Sequence, residues 1–184
     1  MKKQFSIVEY NPNWPLEFEI EKKNLELVFG DLVLSINHVG STAIKSTMAK
    51  PEIDILVVLK NDSNITTYDQ RISELGYTVR GECLDNGGTK GRYYYSKDQN
   101  NVRTHKLHVC RQGHPEILRF LLFKKFLNDH HQYGIEYASI KTSLSKTYNY
   151  EKNIIKYLEG KSKFIMKIIE LSKEENFDMI LKYG

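Results

Sequence analysis

The chain has 184 residues, 40% of them hydrophobic and 27% charged, which is the composition of an ordinary globular protein with a sizeable core. This length favours one domain, or one core with an appended helical piece. The formal charge of +4 is mild and the lysines are scattered, so an ordinary basic surface explains it and nucleic-acid binding gains little support.

The first part of the chain alternates short strands with helices. Apolar periodicity and the Gly and Pro stops at the segment ends define these elements. They predict a strand over Phe5–Tyr10, a helix from Asn13 to Gly30, strands over Leu32–Asn37 and Ile53–Leu59, and a helix over Ile65–Leu75.

The middle of the chain is strand-rich, and the end is helical. Three strands are predicted over Tyr77–Arg80, Arg92–Lys97 and Val102–Cys110. We therefore expect an α+β fold, with a mixed β-sheet in residues 1–112 and a helical bundle in residues 113–184 packed on it as one compact unit. The four helices of that bundle are predicted over Pro115–Asp129, Gln132–Tyr148, Tyr150–Ser172 and Glu174–Tyr183.

Cysteine usage and the N-terminus bear on the compartment. Cys83 and Cys110 are too few and too isolated for a disulfide scaffold or a cysteine-ligated metal. The segment Met1–Tyr10 turns polar too soon for a signal peptide, and no apolar run approaches the roughly 18 residues that cross a bilayer. We expect a cytoplasmic protein without a membrane partner.

The most informative motif is a small-residue turn followed by two acids. Gly40 and Ser41 end an apolar strand, and Glu52 and Asp54 open the next one. Side chains at positions i and i+2 of a strand point to the same face, so the two carboxylates can converge on one divalent cation. A glycine turn brings backbone N–H groups close to a phosphate, and Mg²⁺ prefers carboxylates plus phosphate oxygens. The motif indicates nucleotidyl or phosphoryl transfer.

This arrangement resembles the signature of the polymerase-β-like nucleotidyltransferases, in which a Gly-Ser turn precedes an acid-x-acid pair. With its flanks, the chain resembles the GrpB family, a branch of that superfamily, from about residue 6 to residue 170. The blocks that carry the likeness are Val8–Pro15, His38–Ala43, Ala49–Ile55, Arg103–Val109, Phe123–Leu127, Tyr137–Lys141 and Tyr157–Ile165.

The resemblance implies a nucleotidyltransferase-like fold and an activity. Mg²⁺ or Mn²⁺ on Glu52 and Asp54 would position a nucleoside triphosphate held at Gly40, Ser41 and Thr42. The nucleoside monophosphate would then pass to an unknown small-molecule or protein acceptor.

The sequence also departs from the pattern of an active transferase. Such enzymes carry a third carboxylate on a neighbouring strand, and here that strand, residues 102–110, contains no acid. His108 or His105 is the candidate for the third ligand or the general base. The family also often has an apolar residue in place of Glu52, and Lys124-Lys125 stands where relatives have Arg-Asp.

Further candidates have both a functional and an ordinary interpretation. His38 either orients the turn through a hydrogen bond or is a core histidine. Lys50 either binds phosphate or lies in a solvated linker. Arg103 either binds a phosphate or forms a surface ion pair.

Helix spacing adds a last group of candidates. Lys161 lies four residues after Tyr157, and Lys141 four after Tyr137, so each lysine shares a helix face with its tyrosine. These residues either contact the nucleotide, with base stacking on tyrosine, or belong to ordinary helix surfaces. The alternative function is a catalytically silent nucleotidyltransferase-fold domain that binds a nucleotide, a phosphorylated metabolite or a protein partner.

Overall fold

The computed structural model describes residues 7–61, 64–84, 88–148 and 150–183. Its strands are β1 Val33–Val39, β2 Ile53–Leu59, β3 Tyr77–Gly81, β4 Arg92–Gln99 and β5 Val102–Arg111. Its helices are α1 Trp14–Phe29, α2 Asp69–Glu74, α3 Pro115–Asp129, α4 His131–Thr147, α5 Tyr150–Glu175 and α6 Phe177–Tyr183.

The strands form one mixed sheet in the order β1-β2-β5-β4-β3. The central pair, β2 and β5, is parallel, and the other neighbouring pairs are antiparallel. The helices α3 to α6 follow the last strand in the chain. The predicted α+β class with a mixed sheet is therefore confirmed. The division at residue 112 stays a prediction.

Strand β2 is buried on both faces, which fits its nearly continuous apolar sequence. Ile53, Ile55 and Val57 belong to the core that packs on α1. The alternate residues Leu56 and Val58 pack with residues of α3 on the other face. Because both faces are fixed by packing, the start of β2 is a rigid point from which to present side chains.

The C-terminal helices pack against the segment that follows the Gly-Ser turn. Ile44 is fully buried in a cluster with Phe126 of α3, Tyr137 of α4 and Phe164 of α5. The turn and the helices therefore share one core, which brings α4 and α5 close to the start of β2. Among the described helices, none is both long and apolar enough to cross a membrane.

Two predicted elements differ from the structure. Residues 5 and 6 of the predicted first strand lie outside the described residues, and Val8 makes only an isolated antiparallel bridge with Ala49. The predicted helix 65–75 starts as a 3-10 turn over Ile65–Tyr68 and becomes α-helical only over Asp69–Glu74. Apolar alternation does not distinguish a bridge from a strand, because both need the same pattern of side chains.

Candidate functional site

A cleft with a volume of about 100 Å³ opens at the N-terminal end of β2, facing α4 and α5. It brings together side chains from distant parts of the chain, and four of them are lysines. The lining residues are Ile7, Ser41, Lys50, Glu52, Asp54, Lys106, Lys141, Tyr157 and Lys161.

Gly40 packs directly on Asp54. The backbone of Gly40 has a φ of +69°, and a Cβ built on it would lie 2.2 Å from Asp54 Oδ2. Any side chain at position 40 would thus collide with the carboxylate, while the left-handed φ itself disfavours other residues. The glycine lets the turn approach the carboxylate, as the turn motif requires.

His38 and Thr42 connect the turn to the start of β2. The Thr42 hydroxyl donates to the Glu52 carbonyl at 3.1 Å, so its oxygen accepts from His38 Nε2 at 3.0 Å. The His38 ring stacks on Phe18 of α1. Burial and, to a smaller extent, Lys124 on α3 lower the pKa of His38 to about 4 against the opposing effect of Asp54. His38 is therefore a neutral, buried support for the turn.

The two carboxylates lie among lysine side chains. Glu52 contacts Lys50 Nζ at 3.6 Å through Oε1 and Lys106 Nζ at 2.5 Å through Oε2. Asp54 pairs in register with Lys106 across the parallel strands. Burial would raise the pKa of Asp54, but Lys106 and His108 outweigh it and leave the pKa lowered. Asp54 is therefore ionised near neutral pH, with the ammonium group of Lys106 as the main cause.

The structure separates the two histidines of β5. His108 Nε2 lies 3.8 Å from Asp54 Oδ1, and its ring packs between Tyr94 and Phe120. Burial lowers the pKa of His108, although Asp54 opposes the shift, so the imidazole is neutral at pH 7. The distance of 3.8 Å is longer than a hydrogen bond, so His108 is a neighbour of the Asp54 carboxylate within the same packed wall.

The structure places His105 away from Asp54, on the other face of the sheet. Side chains alternate along β5, and His105 shares a face with Leu107, which belongs to the core under α1. Its ring contacts Tyr77, and its Nδ1 is 2.9 Å from Thr104 Oγ1. It is therefore on the opposite side of the sheet from Asp54.

Helices α4 and α5 supply two lysines to the cleft. Lys141 Nζ lies over the Tyr137 ring at 4.5 Å and donates to the Met48 carbonyl, and Lys161 Nζ lies over the Tyr157 ring at 4.6 Å. Burial lowers the pKa of Lys141 to about 7 and that of Lys161 to about 8, and positive neighbours add to both shifts.

Base stacking on Tyr157 is not supported by this geometry. The side chain is only 5% exposed, and Lys161 covers one face of its ring. Tyr157 contributes to the wall of the cleft, and it holds the ammonium of Lys161 by a cation–π contact.

Arg103 has the ordinary role of a surface ion pair. Its Nε donates to Asp98 Oδ1 and its Nη1 to the Tyr94 hydroxyl, both at 3.0 Å. It is not among the described residues that line the cleft. Of the two interpretations of Arg103, the contacts favour the ion pair, because both ends of its guanidinium are engaged at the β4–β5 hairpin.

Lys106 is the functional residue that the sequence analysis missed. It lies on β5 between the two histidines, and its side chain reaches Glu52. The sequence does indicate one relation: side chains alternate along a strand, so Lys106 and His108 lie on the same face of β5. The pairing register of β5 with β2 was needed to show that this face is the one with Asp54.

The donor set suits a single hard cation. Within the parts of the chain that the structure describes, no group of three His, Cys, Asp or Glu side chains is placed to hold a metal. Asp54 and Glu52 nevertheless line one cleft, and Mg²⁺ sites in proteins commonly use one or two carboxylates and take further oxygens from substrate phosphates. Asp54 fits that pattern, and Glu52 fits it once a bound ion displaces Lys50 and Lys106 from its two oxygens.

Known proteins resemble this chain over most of its length. The family model described as GrpB protein matches residues 4–171. The UPF0157 protein YqkA of Bacillus subtilis is 37% identical over 172 residues, which cover 94% of this chain and 48% of that protein. The chain thus spans about half the length of this relative.

Solved structures support the fold. The crystal structure of the conserved protein GrpB from Enterococcus faecalis matches with a TM-score of 0.82 and 29% identity, covering 94% of this chain and 99% of that one. A cytoplasmic RNA terminal U-transferase matches with a TM-score of 0.50 and 10% identity, covering 73% of this chain and 41% of that one. The expected nucleotidyltransferase-like fold is confirmed, and at 10% identity the second likeness concerns the fold alone.

Replacing Gly40 with alanine should disturb the fold more than the same change at Gly30. Both glycines have positive φ, but a Cβ at Gly30 meets nothing within 4 Å, whereas at Gly40 it meets Asp54. Both variants carry the strain of a positive φ with an extended ψ, on the order of 1–3 kcal/mol. We expect Gly40→Ala to lose about 2 kcal/mol more unfolding free energy than Gly30→Ala in urea denaturation. Equal losses would show that the contact with Asp54 is unimportant.

Acid should destabilise the protein through His38. The pKa of His38 is about 4 in the folded protein and about 6.5 when unfolded. Between these values the unfolded state binds more protons, so stability falls as pH is lowered from 6.5 to 4. We expect His38→Gln to remove on the order of 3 kcal/mol of this pH dependence, measured by urea denaturation from pH 7 to pH 4. A profile as steep as that of the control, His131→Gln at an exposed position, would contradict this account.

Proposed function

This chain belongs to the GrpB family, and we propose that it binds the polyphosphate of a nucleoside triphosphate in the lysine-lined cleft and transfers the nucleoside monophosphate to an acceptor. The observation that carries the proposal is the charge of the cleft. Among the residues that the structure describes, Lys50, Lys106, Lys141 and Lys161 line it, together with the carboxylates of Glu52 and Asp54. A site with this excess of ammonium groups attracts a compact polyanion.

The shifted lysine pKa values support an anionic ligand. Burial lowers the pKa of Lys50 to about 8, as it does for Lys161, and that of Lys141 to about 7. Burying an unbalanced positive charge is costly, so these groups are poorly compensated by the carboxylates alone. Phosphate oxygens in the cleft would supply the missing negative charge and form charge-assisted hydrogen bonds with the lysines.

The size of the cleft fits the phosphates better than a whole nucleotide. Its volume of about 100 Å³ is smaller than the roughly 300–1,000 Å³ of pockets that enclose entire small molecules. We infer that the phosphates enter the cleft, while the nucleoside lies toward its open side. The wall formed by Lys141, Tyr157 and Lys161 would then contact the ligand from the helices.

The residues that would hold Mg²⁺ or Mn²⁺ are Asp54 and Glu52. Such an ion, when bound, neutralises charge on the phosphates and polarises the reacting phosphoryl group. In the transfer, an acceptor hydroxyl gives its proton to a solvent water as its oxygen bonds to the α-phosphorus. The bond from that phosphorus to the β-phosphate bridging oxygen breaks, and pyrophosphate leaves with the electron pair. His108 would act here as a positioning residue once its Nε2, which lies 3.8 Å from Asp54 Oδ1, moves within hydrogen-bond distance.

One observation favours the catalytically silent alternative. The position on β5 that pairs with Asp54 is Lys106, an ammonium, on the strand where active transferases of this superfamily carry an acid. A domain that binds a nucleotide, a phosphorylated metabolite or a protein partner without reaction would keep the lysines and could do without that acid. Calorimetry separates the two, since binding without pyrophosphate release supports the silent domain.

Asp54→Asn should abolish turnover while preserving the fold. The change keeps the shape of the side chain but removes its charge, so Mg²⁺-dependent pyrophosphate release should fall at least roughly 100-fold. The assay uses each ribonucleoside triphosphate with MgCl₂ and the protein-free small-molecule fraction of a cell extract as the source of acceptors. The control is Asp129→Asn, which changes a surface carboxylate paired with Lys125. Unchanged release in Asp54→Asn would refute the role of Asp54.

Lys161→Gln should weaken nucleotide binding about tenfold or more, because it removes a charge-assisted contact to phosphate. Lys163→Gln is the matched control, since Lys163 lies on the same helix at an exposed position outside the described cleft lining. Calorimetric titration with a triphosphate measures both variants. If the two bind equally well, the helical wall of the cleft takes no part in holding the ligand.

A further inference from the structure

We infer that Lys106 is a built-in cation of the cleft, which allows the phosphates to bind without a divalent metal ion. This inference rests on the proposed function and concerns how the same site holds its ligand. It separates two tasks that metal ions perform together in a carboxylate-rich site, namely binding the phosphates and assisting the reaction.

The first argument is position. The parallel pairing of β2 with β5 places Lys106 opposite Asp54, and the side chains of both residues line the cleft. Lys106 Nζ contacts Glu52 Oε2 at 2.5 Å. The ammonium group thus lies beside both carboxylates that would otherwise share a cation between them.

The second argument is the change in charge. A third carboxylate on β5 would make the site more negative by one charge, whereas Lys106 makes it more positive by one. The difference is two positive charges, which equals the charge of one divalent cation. A site with lysine at this position therefore needs one divalent ion fewer to present the same field to a polyphosphate.

The third argument concerns Glu52. Its two oxygens are each in contact with a different ammonium, from Lys50 at 3.6 Å and from Lys106 at 2.5 Å. A divalent ion on Glu52 would meet both positive groups at close range. Lys106 also lines the cleft, so the ammonium that forms an ion pair with Glu52 faces the space where the phosphates would bind.

The test begins with the wild-type protein, so it does not depend on the folding of any variant. The α,β-methylene analogues of the four ribonucleoside triphosphates, which cannot release pyrophosphate, are titrated calorimetrically in EDTA and again in MgCl₂. We expect at least one analogue to bind in EDTA with a Kd within about threefold of its value in MgCl₂. Binding only in MgCl₂ would overturn the inference and leave the proposed function intact. Failure to bind in either buffer would overturn both.

Variants of Lys106 then test whether this residue is the reason that the analogues bind without a divalent metal ion. Lys106→Glu restores an acid on β5 and should bind about 100-fold more weakly in EDTA, with recovery in MgCl₂. Lys106→Arg keeps the charge and should bind in both buffers. Lys45→Met, at an exposed position, serves as the control. If Lys106→Glu binds equally well in EDTA and in MgCl₂, Lys106 is not the built-in cation. Urea denaturation of each variant verifies that it is folded.

Discussion

The pairing of carboxylates with lysines at the start of β2 is the interaction on which the cleft depends. Glu52 and Asp54 are carried into a partly buried site, where charged groups are costly unless oppositely charged groups accompany them. Lys106 and Lys50 supply that compensation, and in return the carboxylates stabilise the ammonium groups. The balance is incomplete, because Lys141 and Lys161 add further positive charge from the helices. The low pKa values of these two lysines reflect burial and the repulsion that remains, and a bound polyanion would relieve that repulsion.

The fold holds this arrangement from three directions. The sheet fixes Asp54, since β2 is packed on both faces and paired on both edges. The turn packs against Asp54, because Gly40 has no side chain and the Thr42 hydroxyl donates a hydrogen bond to the Glu52 carbonyl. The helical segment completes the wall through the core around Ile44. A shift of α4 or α5 would therefore move lysines relative to carboxylates, so the electrostatics of the cleft depend on the packing of the C-terminal helices.

Local patterns in the sequence were sufficient for much of this structure. The strands and helices followed from apolar periodicity and from Gly and Pro stops, and Gly40, Ser41, Glu52 and Asp54 are close enough in sequence for their meeting to be foreseen. Lys106 could not be assigned in that way, because its partner lies on a strand some fifty residues away and the register of the pair decides which face meets Asp54. The choice between His105 and His108 meets the same limit. Residues three apart on a strand point to opposite faces, but only the sheet determines which face belongs to the cleft.

The likeness to a terminal U-transferase establishes the fold, whereas the choice between enzyme and silent domain depends on the charges in the cleft. Metal ions and lysines both present positive charge to phosphates, and both can hold a polyphosphate. Only a metal ion offers exchangeable coordination sites that orient and polarise the reacting group, while an ammonium donates hydrogen bonds from a fixed stem. Among the described residues that line this cleft, lysines outnumber acids. Asp54 is the acid that packs on Gly40, and His108 lies 3.8 Å from it. Affinity for phosphate is therefore expected to reside mainly in the lysines, and any chemistry in Asp54.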